Sequence, residues 1–206
     1  MKKLIIFPYN GNGLEAIDCI GDQYELIGFA DDTKEKQGKH AYGFEVFSRD
    51  LISKYPEAFV LAVPGSPTSF KIRNQIIGTL QLPEERFATV IHPKANISSI
   101  AKIGHNSLLM AGVVITSNSK IGNHVCILPN SVIHHDSNVG DYTLIGSNVT
   151  VAGNTSIGSF CYIGSGSRII NEITVGDQTL IGMGSNVIKS LPSEIKAVGN
   201  PARIIK

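Results

Sequence analysis

A small α/β domain followed by a parallel β-helix is the fold predicted by this 206-residue sequence. Three observations predict it. Aliphatic residues recur at every sixth position from Ile97 to Val187. Glycines recur at eighteen-residue intervals within the same segment. Residues 1–88 carry 22 of the 35 charged side chains and residues 89–190 carry 9, so the two regions follow different rules, with a boundary near Phe87–Pro93.

The first region alternates strand and helix signals. Lys3–Pro8 is an apolar strand, Asn10-Gly-Asn-Gly13 a turn, and Leu14–Ile20 suits a helix. Tyr24–Phe29 is a second strand ending at Asp31-Asp32, and Val46–Lys54 suits a strand end and a helix. Ala58–Val63 is a buried strand stopped by Pro64-Gly65, Phe70–Leu80 suits a helix, and Arg86–Ile91 reads as a last strand. Strands alternating with helices imply a small parallel sheet of Rossmann type over residues 1–88.

The second region, residues 89–206, is a repeat. The sixteen residues at six-residue spacing from Ile97 to Val187 are all Ile, Leu or Val. An ordinary chain places such residues at roughly a quarter of its positions. Four residues after each of the first fifteen stands a small or β-branched residue, from Ala101 and Ser107 to Thr179 and Ser185. Six residues make one short strand and a turn, and three such units close a triangular coil of eighteen. The aliphatic residue points inward, the small one fits the corner, and Gly104, Gly122, Gly140, Gly158 and Gly176 are expected to relieve turn strain. A second glycine phase is Gly146, Gly164 and Gly182. This is the left-handed hexapeptide β-helix, an exception to right-handed crossover. Cys161 falls on an inward position and reads as a core thiol.

Composition narrows the function. Hydrophobic residues make up 42% and charged residues 17%, enough for a core and incompatible with wholesale disorder. A net charge of +1 without a basic stripe argues against nucleic acid as partner. Three cysteines without a CxxC pair argue against a disulfide framework or zinc site and fit a reducing cytosol. The apolar run after Met1 is too short for a leader, and no stretch reaches the ~18–20 residues of a membrane span.

Several segments carry candidate chemistry. Asn10, Gly11, Asn12 and Gly13 resemble a glycine-rich phosphate turn in degenerate form, and taken alone they read more readily as an ordinary turn. Asp31 and Asp32 offer acceptors to a ribose or base, or simply a solvated turn, and Gly65-Ser66 line the same crevice edge. Five of the six histidines (His92, His105, His124, His134, His135) lie in the repeat, on different coils and without convergent ligand spacing, so no metal is assigned. His134-His135-Asp136 occupies a turn and projects from the coil. An imidazole there can take a proton near pH 7, and the neighbouring carboxylate can fix its tautomer. The alternative is a polar surface turn. Ala152-Gly153-Asn154 lies one coil further and stacks beside the histidine, offering backbone N–H groups to an oxyanion. Lys189 and Arg203 are the cations available for a phosphate near the end of the helix.

The repeat ending in Gly199-Asn200-Pro201-Ala202-Arg203 resembles the acyl-CoA-dependent acyltransferases of the left-handed β-helix superfamily. The whole arrangement is narrower: a short Rossmann-like domain, then Ile91-His92-Pro93, then Val132-Ile133-His134-His135-Asp136, then Ala152-Gly153-Asn154. It resembles the sialic acid O-acetyltransferase and bacillosamine N-acetyltransferase family. That resemblance implies acetyl transfer from acetyl-CoA to the 4-amino group of a UDP-, dTDP- or GDP-linked 4-amino-4,6-dideoxy sugar, by a homotrimer. It implies His135 and Asp136 as the catalytic pair with Gly153 on the oxyanion side, and His134 against substrate. It assigns nucleotide-sugar binding to Asn10–Gly13, Asp31, Asp32, Gly65 and Ser66. It assigns acetyl-CoA to Ala152, Gly153, Gly164, Gly182, Lys189, Pro201 and Arg203. Within the family's pattern, Pro8 stands for the first glycine of the turn, Asn12 for a histidine, Leu128 for a polar residue and Leu144 for a histidine. The family's basic residue after the third strand aligns near Ser69, close to Lys71. Alternatives are sugar O-acetylation and a non-catalytic nucleotide-binding β-helix protein.

Overall fold

The computed structural model describes residues 1–40 and 43–205. The N-terminal unit is built on strands β1 (Lys2–Phe7), β2 (Tyr24–Ala30), β3 (Gly38–Lys39), β4 (Glu45–Phe47) and β5 (Phe59–Ala62). Their order is β3-β4-β2-β1-β5, parallel except for β3 against β4. Leu4, Ile5 and Ile6 of β1 are fully buried, which fits a central parallel strand covered on both faces. The helices are short. Helix α1 (Gly11–Ala16) starts three residues earlier than the apolar pattern predicts, because Asn10 caps it: its side chain accepts from the Gly13 N–H at 2.8 Å. Helices α2 (Asp50–Lys54) and α3 (Arg73–Gly78) complete the unit, a single 3₁₀ turn filling Phe70–Ile72.

From Val90–Ile91 to Asn186–Val187, two-residue strands recur every six residues. They form three parallel faces. The first holds Val90, Leu108, Cys126, Leu144, Tyr162 and Leu180, the second Asn96 to Asn186, and the third Lys102 to Thr174. A C-terminal hairpin, Lys196–Val198 with Arg203–Ile205, extends the first face. The expected last strand over Arg86–Ile91 is corrected. Glu84–Arg86 is a 3₁₀ turn, Phe87 bridges Val60, and Val90–Ile91 pairs with Leu108–Leu109 as the first rung of the β-helix.

The inward stack is continuous. Leu109, Ile127, Ile145, Ile163 and Ile181 are fully buried in one column, and Ile115, Ile133, Val151, Ile169 and Val187 in the next. The small corner residues do more than fit. Buried corner hydroxyls donate to carbonyls fifteen residues on: Ser107 to Gly122, Ser119 to His134, Ser131 to Gly146, Ser137 to Ala152, and Thr143 to Gly158. Polar corners are thereby satisfied inside an apolar prism.

The glycine phase has a different cause from the one expected. The left-handed residues of that corner are Asn106, His124, Tyr142, Phe160 and Gln178, none of them glycine. Gly104, Gly122, Gly140 and Gly158 are required by proximity: a Cβ on Gly140 would meet Ser159 N at 2.5 Å, on the coil above.

The two units lock through side chains that satisfy buried backbone. Asn106 accepts from the Ala62 N–H at 2.8 Å, and its amide donates to the Ala62 carbonyl at 2.9 Å. Arg73, fully buried, donates to the carbonyls of Pro64, His124 and Tyr142 at 2.6–2.7 Å. Burial lowers its pKa to about 10, which leaves the guanidinium charged at neutral pH. His124 lies against it with its pKa pushed down to about 3 by burial, His105 and Arg73, so it is a neutral structural ring.

Truncating Ile145, which is fully buried, to alanine opens a cavity in the prism and is expected to cost ~2–5 kcal/mol in urea unfolding. Ile100→Ala, at an exposed position, is expected to cost less than about 0.5 kcal/mol. Equal losses would contradict the inward register.

Candidate active site

Strand Val132–Ile133 turns Ile133 inward, and the corner His134–Ser137 follows. Ser137 also points in, its hydroxyl on the Ala152 carbonyl at 2.9 Å, which leaves His135 and Asp136 outside. Asp136 takes the left-handed conformation (φ +59°), and its N–H donates to the Ser117 carbonyl one coil below. The imidazole Nδ1 of His135 lies 2.8 Å from Asp136 Oδ2, with the two side chains 56% and 44% exposed. Asn118 donates its amide to the other oxygen, Asp136 Oδ1, at 2.7 Å. That bond first, and the one from His135 second, hold the Asp136 carboxyl below its ordinary range. An ionised carboxylate only accepts, so Nδ1 carries the proton and Nε2 presents a lone pair.

Strand pairing places Val132-Ile133 beside Thr150-Val151 and so puts Gly153 next to His135. A Cβ on Gly153 would stand 2.6 Å from His135 Nε2. The glycine is therefore the seat of the ring. Its N–H has no acceptor among the described residues. The same register continues the line from His135 and Gly153 to Asn171 and Lys189, and the parallel line from His134 and Ala152 to Ile170 and Ile188. Ile170 and Ile188 are half exposed, so an apolar strip runs from the bare Nε2 towards the Lys189 cation.

A second feature lies elsewhere. A cavity of about 360 Å³ opens between the N-terminal unit and the first face of the β-helix. Asn10, Gly11, Asn12, Gly65, Ser66 and Pro67 line one side, and Cys126, Leu128, Leu144, Gly146 and Tyr162 the other. Gly65 sits at φ +136°, and a Cβ there would meet Arg73 Cδ and Leu144 Cδ1, each at 2.9 Å.

The structure separates the predicted residues. Asn10, Gly11, Asn12, Gly65 and Ser66 come together on the cavity wall. Gly13 is not on it; its Cβ would stand 2.7 Å from the Pro8 carbonyl, so it permits the close approach of helix and strand. Asp31 is buried and fully engaged, accepting from Tyr9 N, Thr33 N and Lys36 Nζ at 2.9–3.0 Å. Burial works against its charge, but the Thr33 and Lys36 bonds outweigh burial and lower its pKa. Asp32 pairs with Arg49. Neither acid is among the residues that line the cavity.

Gly164 and Gly182 lie on a different corner from His135 and touch the next coil, at Met183 N and Val198 Cγ1. Pro201 and Arg203 belong to the C-terminal turn and hairpin, where Arg203 is exposed. Sequence reasoning missed Arg73, Asn118 and the apolar cavity wall. Near the position expected to be basic, Lys71 is exposed and Arg73 is buried. Burial raises the thiols of Cys19, Cys126 and Cys161 to about 12, 12 and 11, so none is a thiolate nucleophile at neutral pH. Among the described residues no three His, Cys, Asp or Glu side chains converge as a metal group, and no helix is long and apolar enough to cross a membrane.

Residues 100–135, 118–153 and 136–171 match the bacterial transferase hexapeptide family (six repeats). No curated protein matches the chain by sequence. Solved structures match it along its whole length, among them the following three. A histidine-to-asparagine mutant of perosamine N-acetyltransferase from Caulobacter crescentus, in complex with CoA and GDP-perosamine, is 23% identical; 100% of this chain covers 97% of that one at a TM-score of 0.87. The acetyltransferase domain of PglB from Neisseria gonorrhoeae FA1090, in complex with acetyl coenzyme A, is 26% identical over 99% of both chains, with a TM-score of 0.87. WeeI from Acinetobacter baumannii AYE is 27% identical over 100% of both, with a TM-score of 0.85. The repeats over 100–171 match that family, and the fold is shared with the perosamine N-acetyltransferase and with the acetyltransferase domain of PglB.

Gly153→Ala is expected to keep the unfolding midpoint within a few degrees while displacing the His135 ring from its seat, read as shifted His135 resonances in NMR. Unchanged resonances would contradict the seating.

Proposed function

We propose that the protein transfers the acetyl group of acetyl-CoA to the 4-amino group of a nucleotide-linked 4-amino-4,6-dideoxy sugar, directly and with His135 as base. One observation carries the reading: His135 Nε2 is bare because Nδ1 is committed to Asp136, and it lies over Gly153, whose N–H is free. The sugar amine attacks the thioester carbonyl, and its proton passes to Nε2. Asp136 stabilises the imidazolium that forms, and the oxyanion develops beside the Gly153 N–H. The C–S bond then breaks, and the imidazolium returns the proton to the leaving thiolate. The apolar strip over Ile170 and Ile188, ending at Lys189, suits an extended pantetheine with phosphates beyond it. His134, on the same turn, is positioned for substrate contact. The CoA and GDP-perosamine bound in the Caulobacter enzyme support the two substrate classes.

The cavity beside Gly11 and Ser66 is the proposed acceptor site, and its position carries a consequence. It lies on the first face of the prism, whereas His135 lies on the corner between the second and third faces. That corner is opposite the first face. This supports a working site that joins the cavity of one copy to His135 of another. A closed homotrimer satisfies this with three equivalent sites.

The test is thiol release from acetyl-CoA with UDP-, dTDP- and GDP-linked 4-amino-4,6-dideoxy sugars, with sialic acid as an O-acceptor. Release is expected with one amino sugar, and His135→Ala should lose ~10²–10⁴-fold in kcat with acetyl-CoA binding kept. Near-wild-type turnover in His135→Ala, or release with sialic acid alone, would overturn the assignment.

A further inference from the structure

Parallel stacking aligns the left-handed position of this corner on successive coils: Asn118, Asp136, Asn154 and Glu172, at φ +56° to +61°. Asparagine accepts this conformation readily, so the backbone alone would explain Asn118. Its side chain does something more specific. Asp136 Oδ1 receives the Asn118 amide at 2.7 Å, and Oδ2 faces His135 Nδ1 at 2.8 Å. The acceptor-only carboxylate fixes which end of the amide faces it.

His135 and Asp136 are chain neighbours and each about half exposed. An exposed pair of this kind holds its geometry weakly, since water competes for both partners and the carboxylate turns freely about its last bond. Two bonds at its two oxygens stop that rotation. No bond to Asp136 comes from Asn154, the asparagine on its other side, so the hold comes from the coil below.

We infer that Asn118 is a positioning residue for acetyl transfer: from the preceding coil it locks the Asp136 carboxylate, and through it the Nδ1–H tautomer of His135. The inference rests on the reading of His135 as base. Asn118 itself touches no reacting atom. The orientation of the base is thus set by the coil register rather than by the two residues of the pair.

Asn118→Gly removes the amide at a position where glycine takes the same backbone freely, so folding is preserved. Gln178→Gly makes the same change at a left-handed position (φ +56°) on another corner and serves as control. In Asn118→Gly, kcat is expected to fall roughly tenfold, part of the ~10²–10⁴ that a placed base contributes, at unchanged KM for acetyl-CoA. The ¹⁵N signature of His135 should pass from one Nδ1–H tautomer to a mixture, with Gln178→Gly unchanged in both readouts. An unchanged tautomer signature in Asn118→Gly overturns the proposal, whatever happens to kcat. If wild-type protein releases no thiol with any acceptor, the proposed function fails, while the tautomer signature still decides whether Asn118 holds the pair.

Discussion

The eighteen-residue register between coils is the constraint on which the rest of the structure depends. Adjacent coils meet at backbone contact, close enough that a methyl group on Gly122 would meet Asp141 Oδ1 at 2.3 Å. With strands of two residues, no slip is available without moving every aliphatic side chain out of the prism. The register then acts in every direction. It stacks Ile115 on Ile133 and Val151, aims corner hydroxyls at carbonyls fifteen residues on, and puts Asn118, His135 and Gly153 on consecutive coils. A half-exposed His-Asp pair would be a loose surface feature on a loop. On this frame it is held from below by an amide and seated above on a glycine.

The N-terminal unit uses the same frame differently. Its sheet does not close a site by itself; β5 ends at Ala62, where Asn106 of the β-helix completes both backbone hydrogen bonds. Arg73 then ties the Pro64 carbonyl to those of His124 and Tyr142. Three carbonyl acceptors compensate a buried guanidinium only in part, and its Nη2 has no partner among the described residues. The charge stands directly behind Gly65, on the wall of the proposed acceptor cavity. Domain docking and cavity shape thus rest on the same few residues.

Much of this is legible in the sequence, and the limits are physical. A six-residue aliphatic period has one structural solution, so the β-helix, its inward residues and the stacking of Gly153 on His135 follow from spacing alone. The cavity wall was legible too. On the third face the residue before each inward aliphatic is polar (Lys102, Lys120, Asn138, Ser156, Thr174), whereas on the first face it is Leu108, Cys126, Leu144, Tyr162 or Leu180. That contrast marks the face covered by another unit. The partners of Asp31 and Asp32 were not legible, because a pair of acids after a strand looks the same whether it awaits a ribose or pairs with Lys36 and Arg49. Gly13 and the Gly104 phase misled because glycine serves close approach as often as turn geometry. Arg73 was not legible: nothing in a helix pattern tells a buried cation from a solvated one.

In the proposed reaction the acceptor cavity and the base come from different copies of the chain. Gly11→Trp would fill the cavity, since Gly11 has open space around its Cβ position, while leaving His135 intact. His135→Ala leaves the cavity intact. Each variant alone should be inactive. The account predicts that co-assembling them in equal amounts restores about a quarter of wild-type turnover, as random pairing around a closed ring requires. Mixed assemblies that form and remain inactive would contradict it.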